Sequence, residues 1–162
     1  MQCVRNLAVV AVMTAATFAV GSSARAADAE EILARHMVGQ ALLAAHLVAI
    51  AEGAGMSPDA INAILKDVAD RSAIDEFWIT DSNGHAYLTN TGLDFTFAAD
   101  PAKQPQASAF WPLIEGKQEI VIQEARKREI DDRVFMYVGV AGVDKPRIVQ
   151  VGASAQNLPG PE

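Results

Sequence analysis

The sequence predicts an α+β fold in which two helices precede a mainly antiparallel sheet of about five strands. The apolar residues first recur at helical spacing and change to strand-like runs from residue 76 onward. The last three predicted strands follow one another closely, which favours antiparallel pairing. The length of 162 residues, with 51% hydrophobic and 20% charged residues, is ordinary for one globular domain.

Residues 1–26 have the pattern of a secretory signal peptide. Arg5 supplies a positive charge, Leu7–Val20 is an uncharged and mostly apolar run, and Ala24-Arg25-Ala26 is a small-x-small cleavage site. The alternative, an uncleaved membrane anchor, would need a longer apolar run to cross about 30 Å of hydrocarbon. We therefore expect cleavage after Ala26 and a periplasmic or secreted protein.

Cleavage there would change both the thiol content and the charge of the protein. Cys3 is the chain's single cysteine, so the mature chain is expected to have neither disulfides nor thiolate metal sites. Loss of Arg5 and Arg25 would move the net charge from −7 to −9. An acidic chain without a basic patch argues against nucleic acid as a partner.

The first helix is predicted over Asp28–Glu52, because this alanine- and leucine-rich stretch contains no proline. Its apolar surface is broader than one contact with a sheet requires, so we expect part of it to meet a second copy of the chain. The face proposed for docking comprises Leu33, Met37, Ala44 and Val48. A second helix is predicted from Ser57 to about Arg71, with Ser57 as its N-cap and Pro58 at its first position.

A β-hairpin is predicted next, from strand Glu76–Thr80 through the turn Asp81–Gly84 to strand Ala86–Thr89. Residues 91–116 form a long connection, with a short helix predicted over Gln106–Ile114. Further strands are predicted over 118–125, 133–140 and 147–152. The mature domain therefore divides into a helical part, 27–72, and a sheet part, 73–156, and we expect residues 157–162 to form a flexible tail.

The sequence contains no recognisable catalytic or metal-binding motif, so no enzyme, cofactor or metal is predicted. It contains no Gly-x-Ser-x-Gly elbow and no phosphate-binding glycine loop. His36 and His46 are ten residues apart on the first helix, which does not match the i, i+4 spacing of helical metal ligands. They are interpreted as polar or interface residues, and His85 as solvated. An unrecognised hydrolase or a haem carrier stays open as a weaker alternative.

Aromatic residues instead indicate a small-molecule pocket. Alternation places Trp78 and Thr80 on one sheet face and the apolar pair Phe77 and Ile79 on the face toward the helix. The long connection covers the other face, and Arg128 is proposed to bind a carboxylate there. Plain core packing and a solvated charged hairpin are the alternatives. The candidate binding residues are Trp78, Tyr87, Phe97, Phe110, Trp111, Arg128 and Tyr137.

From residue 74 onward the chain resembles a single Cache domain, the extracytoplasmic PAS-like sensor module of chemotaxis receptors and sensor kinases. The leading helices extend the similarity to about residues 29–152. Met136 stands where a lysine is expected in similar domains. The residues that carry the resemblance are Ile74–Asp81, Gly84, Tyr87, Asn90, Phe95, Phe97, Arg128, Val134–Val140, Asp144-Lys145 and Ile148–Gly152.

The resemblance implies a long N-terminal helix, a curved antiparallel sheet with a small-molecule pocket over it, and a homodimer formed through the long helix. No transmembrane helix or output domain follows Gln156 in this sequence. We therefore expect an exported, stand-alone domain that binds a small metabolite and senses or signals with a membrane receptor or kinase partner. The alternative is a structural or interaction protein that binds no ligand and docks a partner through its long helix.

Overall fold

The structure, a computed structural model, describes the backbone of residues 19–158 and the side chains of residues 28–158. It has an α+β fold, as predicted. In chain order the helices and strands are α1 (Ala19–Gly53), α2 (Pro58–Asp70), β1 (Glu76–Thr80), β2 (Ala86–Thr89), a 3₁₀ helix (Ala107–Phe110), α3 (Trp111–Ile114), β3 (Ile120–Lys127), β4 (Val134–Ala141) and β5 (Ile148–Ser154).

The five strands form one sheet in the order β2-β1-β5-β4-β3, and every neighbouring pair is antiparallel. Strand β5 is central, so that Gln150 pairs with Trp78 of β1 on one side and with Gly139 of β4 on the other. Strands β2 and β3 form the two edges. The β3–β4 ladder is irregular between Gln123 and Arg126.

Helices α1 and α2 cover one face of this sheet, with α1 over β4 and β5 and α2 over β1 and β2. The fully buried Met37 and Val48 of α1 pack into the same core cluster as Ile79, Val138 and Val151 of the sheet. The docking face predicted on α1 is therefore wrong. Met37, Ala44 and Val48 are at most 5% exposed, because the sheet itself covers them.

The predicted elements are all present, with small shifts in their ends. The predicted bounds of β1 and β2 are confirmed, while β3, β4 and β5 begin one or two residues later than expected. The predicted N-cap is confirmed, because the Ser57 hydroxyl accepts a hydrogen bond from the Ala60 amide at 3.3 Å. Helix α1 begins at Ala19 rather than Asp28, consistent with its alanine-rich start.

The two ends of the chain lie partly outside the described residues. Residues 1–18 of the predicted signal peptide and residues 159–162 of the predicted tail are among those not described. The first two tail residues pack on the domain instead of extending freely. The Asn157 side chain donates a hydrogen bond to Asp75 at 3.0 Å, and Leu158 packs against the helix-side core.

Within the described part of the chain, Asp28–Gly53 has the length and composition of a membrane-spanning helix or a signal sequence. One third of its most apolar window is buried in the fold, and the core helix of a soluble domain meets the same criterion. The apolar character of Asp28–Gly53 is therefore weak support for export of the protein.

Candidate functional site

A small cavity lies on the sheet face opposite the two long helices, beneath the connection that carries the 3₁₀ helix and α3. Two glycines let aromatic rings lie directly on the sheet at this place. A Cβ on Gly139 would lie 2.6 Å from the Phe110 ring, and a Cβ on Gly152 would lie 2.5 Å from the Tyr137 ring. Larger residues at these two positions would displace both rings from the cavity wall.

Aromatic side chains form most of the cavity wall. Edge-to-face contacts link four of them in a row, with ring centroids 5.7 Å apart for Trp78 and Phe95, 5.0 Å for Phe95 and Phe97, and 6.4 Å for Phe97 and Phe110. Tyr137 completes the wall from β4. Such aromatic pairs contribute more stabilisation than the apolar area that they bury accounts for, so the wall is a rigid surface.

The cavity volume is about 30 Å³, which is room for about two water molecules. Ligand pockets commonly measure about 300–1,000 Å³. Glu129 and Ile130 of the β3–β4 loop line the cavity and are themselves exposed, so this loop forms its mouth. A metabolite would therefore fit only if the loop or the covering connection moved outward.

Two glutamine side chains bring polar groups to the aromatic wall. Gln150 is 4% exposed and lines the cavity. Gln106 is held at the mouth, because its backbone amide donates to the Glu129 carboxylate and its side-chain oxygen accepts from the Glu129 amide at 3.1 Å. Its Nε2 atom is buried without a partner among the described residues. Buried polar groups are usually paired, so the Gln106 amide is a candidate for ligand recognition.

Arg128 lies beside the cavity, but carboxylates of the protein already neutralise it. Its side chain is 1% exposed, and its Nε and Nη2 atoms donate to the two oxygens of Asp131 at 2.5 and 2.6 Å. Its Nη1 atom donates to Glu76 and, at 3.4 Å, to the Tyr137 hydroxyl. The guanidinium also lies 4.3 Å from the centre of the Phe135 ring. The predicted free anchor for a ligand carboxylate is therefore absent from this site in the described structure.

The titration of this cluster follows from its contacts. Hydrogen bonds from Arg128, then from Arg133, hold the pKa of Asp131 well below its usual value. The hydrogen bonds with Asp131, and further ones with Tyr137 and Glu76, outweigh burial and raise the pKa of Arg128. Burial and the negative charge of Glu76 raise the pKa of Tyr137. At neutral pH the arginine and Asp131 are charged and the tyrosine hydroxyl is protonated.

Tyr87 lies away from the cavity, contrary to the prediction. The register of β1 and β2 shifts between Ile79 and Thr80, so Tyr87 packs against the helix-side core. Its hydroxyl donates to Glu52 of α1 at 2.5 Å and accepts from Arg147 at 2.6 Å. A bulge of this kind changes which face a side chain occupies, and alternation along the sequence does not reveal it.

Trp111 also lies outside the cavity wall. It is the first residue of α3 and is half-buried, close to the turn at Gly84. The preceding residue, Phe110, is fully buried and occupies the inward position. Five predicted residues thus lie around one cavity, and two do not. The five are Trp78, Phe97, Phe110, Arg128 and Tyr137.

Six further residues of the cavity wall were not predicted as binding residues: Phe95, Gln106, Ala107, Glu129, Ile130 and Gln150. Gln150 had a visible signal, since it is the one polar residue within the apolar run Ile148–Val151. Phe95 was recognised only as an anchor of the connection. Gln106 and Glu129 meet through hydrogen bonds 23 positions apart in sequence, which no local pattern indicates.

Within residues 28–158, no group of three or more His, Cys, Asp or Glu side chains is arranged to hold a metal ion. His85 contacts Asp94 at 3.1 Å near the β1–β2 turn, while His36 and His46 are exposed on α1. No family model matches the chain, and no curated protein matches it significantly. The Cache resemblance stays a prediction.

Proposed function

We propose that the protein is an exported Cache-like module that binds a small molecule and reports its presence to a membrane receptor or kinase. The observation that carries this proposal is the aromatic cavity with Gln150 and the buried, unpartnered Nε2 atom of Gln106 in its wall. A concave apolar wall with a few convergent polar groups is the usual construction of a ligand site. Export is supported by the signal-peptide pattern of residues 1–26 and by a single cysteine confined to that segment.

The charges around the cavity favour a ligand without a carboxylate. Arg128 is matched by Glu76 and Asp131, and Glu129 at the mouth adds a further negative charge. A carboxylate ligand would face this excess of acidic groups without a free guanidinium. Small amides, alcohols and amines instead match the glutamine amides of the cavity wall, and an ammonium group would also be attracted to the aromatic faces.

On this proposal the described state is the closed one, because its cavity of about 30 Å³ is smaller than a metabolite. Binding then requires opening at Glu129 and Ile130, and the apparent affinity falls by the fraction of molecules that are open. A ligand that fills the cavity would shift the population toward the liganded state. This coupling between occupancy and loop position is what a sensor needs to inform a partner.

A thermal-shift experiment with acetamide, ethanol, methylamine and acetate tests the proposal. We expect a saturable rise in melting temperature with at least one uncharged or cationic probe, equivalent to about 2.7 kcal/mol at 100 times its dissociation constant. Gln150→Leu should abolish that rise, because Gln150 lines the cavity. A rise with acetate alone would contradict the ligand class.

Tyr87→Phe is the matched control, since Tyr87 was predicted as a site residue but lies outside the cavity. The ligand response should survive this change. Equal loss of the response in both variants would contradict the site assignment.

The small cavity volume favours a second candidate, a structural or interaction module in which aromatic side chains fill the pocket. In that case no probe raises the melting temperature. Gln150→Leu would then leave the response to every probe as flat as in the parent protein.

A further inference from the structure

Two reciprocal hydrogen bonds between Gln106 and Glu129 close the mouth of the cavity. The Gln106 backbone amide donates to the Glu129 carboxylate, and the Glu129 backbone amide donates to the Gln106 side-chain oxygen at 3.1 Å. Gln106 immediately precedes the 3₁₀ helix, and Glu129 lies in the β3–β4 loop, so the pair joins the two segments that meet over the cavity. Glu129 is exposed, and water can replace either hydrogen bond when the two segments separate.

The connection on one side of the mouth is anchored to the sheet. The Gln106 carbonyl accepts a hydrogen bond from the Gln123 side chain of β3 at 2.8 Å. Phe110 of the 3₁₀ helix is fully buried, and its ring lies directly against Gly139 of β4. Movement of the connection away from the sheet would expose this ring to water, which is unfavourable.

The base of the β3–β4 loop, on the other side of the mouth, is also fixed. The Arg128 backbone amide donates to the Arg133 carbonyl at 2.9 Å, and both arginine side chains donate to the Asp131 carboxylate. These contacts hold residues 128, 131 and 133, so Glu129 and Ile130 form the tip between them. Ile130 is 41% exposed, so little apolar burial opposes movement of the tip.

We propose that the Gln106–Glu129 pair is a latch, and that the cavity opens by outward movement of residues 129–130 while the connection stays on the sheet. This inference rests on the proposed function, because only a ligand larger than the cavity needs the opening. Release of the latch frees the side-chain oxygen of Gln106, beside an Nε2 atom that has no partner among the described residues. A ligand that binds this amide competes with Glu129 and thereby holds the mouth open.

Quenching of Trp78 fluorescence by acrylamide measures the opening without a ligand. The chain has two tryptophans, and Trp111→Phe removes the one outside the cavity wall. Trp78, which is 2% exposed and lines the cavity, is then the only reporter. Acrylamide is uncharged and larger than the cavity, so it reaches Trp78 through an open mouth, and a change of charge at Glu129 does not repel it.

The latch is tested with variants of similar size in the Trp111→Phe background. Glu129→Met removes the carboxylate acceptor and should raise the quenching constant about two- to tenfold, which is the change in open fraction that one lost hydrogen bond produces. Glu129→Gln keeps an oxygen that accepts from the Gln106 amide, and it should behave like the parent. Glu124→Met, at an exposed glutamate of β3, is the matched control and should also leave the quenching unchanged.

Gln106→Met removes the acceptor of the Glu129 amide from the opposite side of the mouth and should also raise the quenching, even if Glu129→Met fails to fold. Unchanged quenching in the folded variants, equal quenching in Glu129→Met and Glu129→Gln, or free quenching in the parent would each overturn the latch. A latch that responds as expected in a protein whose melting temperature no probe raises would support this inference and contradict only the proposed ligand binding.

Discussion

The protein contains two ionic clusters of the same composition, each formed around a buried arginine. Each arginine holds an aspartate three residues away through two hydrogen bonds, and adds a glutamate and a tyrosine hydroxyl from distant parts of the chain. One cluster consists of Arg128, Asp131, Glu76 and Tyr137. The other consists of Arg147, Asp144, Glu52 and Tyr87.

The clusters differ in what they join and in how far water reaches them. Glu76 lies on β1 with its side chain 7% exposed, so the Arg128 cluster joins strands and supports the cavity wall. Glu52 lies in the last turn of α1 with its side chain 23% exposed, so the Arg147 cluster ties that helix to the sheet. The same set of side chains thus supports the cavity wall in one place and holds helix α1 on the sheet in the other. The exposure of each carboxylate decides how much its contacts stabilise the fold.

Removal of Glu76 should have the largest effect. Glu76→Ala removes a buried carboxylate to which Arg128, Trp78 and Tyr137 all donate, and we expect a loss of about 3–5 kcal/mol in the free energy of unfolding. Urea denaturation measures this loss. Glu124→Ala, on an exposed position of β3, is the control and should change stability by less than about 0.5 kcal/mol.

Removal of Glu52 should cost less, about 1.5–3 kcal/mol, because water reaches its partly exposed side chain. The effect should also be local. Hydrogen exchange should rise in the last turn of α1 and stay unchanged at β1. Equal losses in the Glu76→Ala and Glu52→Ala variants would show that exposure does not distinguish the clusters.

Acid should weaken both clusters. Arg128 holds the pKa of Asp131 far below its usual value, while the contacts of Glu52 and Asp144 outweigh burial and lower their pKa values too. A carboxylate whose pKa is lower in the folded state stabilises the fold above its unfolded pKa, about 4. That contribution is lost as the pH falls through the folded value.

We therefore expect the urea midpoint to fall below about pH 5. Asp131→Asn should flatten this decline, since its carboxyl has the strongly lowered pKa. A decline of the same steepness in the variant would contradict the role assigned to Asp131.

The smallest effects should come from the two tyrosine hydroxyls. Tyr137→Phe and Tyr87→Phe each remove a hydrogen-bonded hydroxyl, which costs about 0.5–1.5 kcal/mol. Thermal shifts with the probe that binds the parent protein should separate the two. Tyr137→Phe should weaken the ligand response, because Tyr137 lines the cavity, whereas Tyr87→Phe should leave it intact. If Tyr137→Phe and Tyr87→Phe gave similar ligand responses, the assignment of the cavity to the Arg128 cluster would be contradicted.

Local patterns predicted the elements of this fold because each depends on neighbouring residues. Ser57 and Pro58 begin α2 where capping predicts, and the predicted hairpin joins β1 to β2. Alternation also placed Trp78 on the cavity face and Ile79 on the helix face. The order of the strands was not predicted, since the insertion of β5 between β1 and β4 rests on contacts between distant segments.

The site was harder to predict because its chemistry depends on such contacts. A basic residue near a strand end suggests a ligand anchor, but Glu76, 52 positions earlier, already pairs with Arg128. Prediction of the exposed face of α1 from the sequence was limited in the same way. The breadth of its apolar surface was visible, but only the folded sheet shows that Met37 faces inward and Leu43 outward.

The edge strand β3 has a consequence for solubility. Its first half presents exposed Ile120 and Ile122 beside an open backbone, which is a template for adding strands from other molecules. The irregular ladder between Gln123 and Arg126 then interrupts the template, and the charged Arg126 and Lys127 follow. An added strand could therefore extend over only a few residues. Such short pairing is a poor seed for aggregation, so the protein should tolerate high concentration despite its apolar edge.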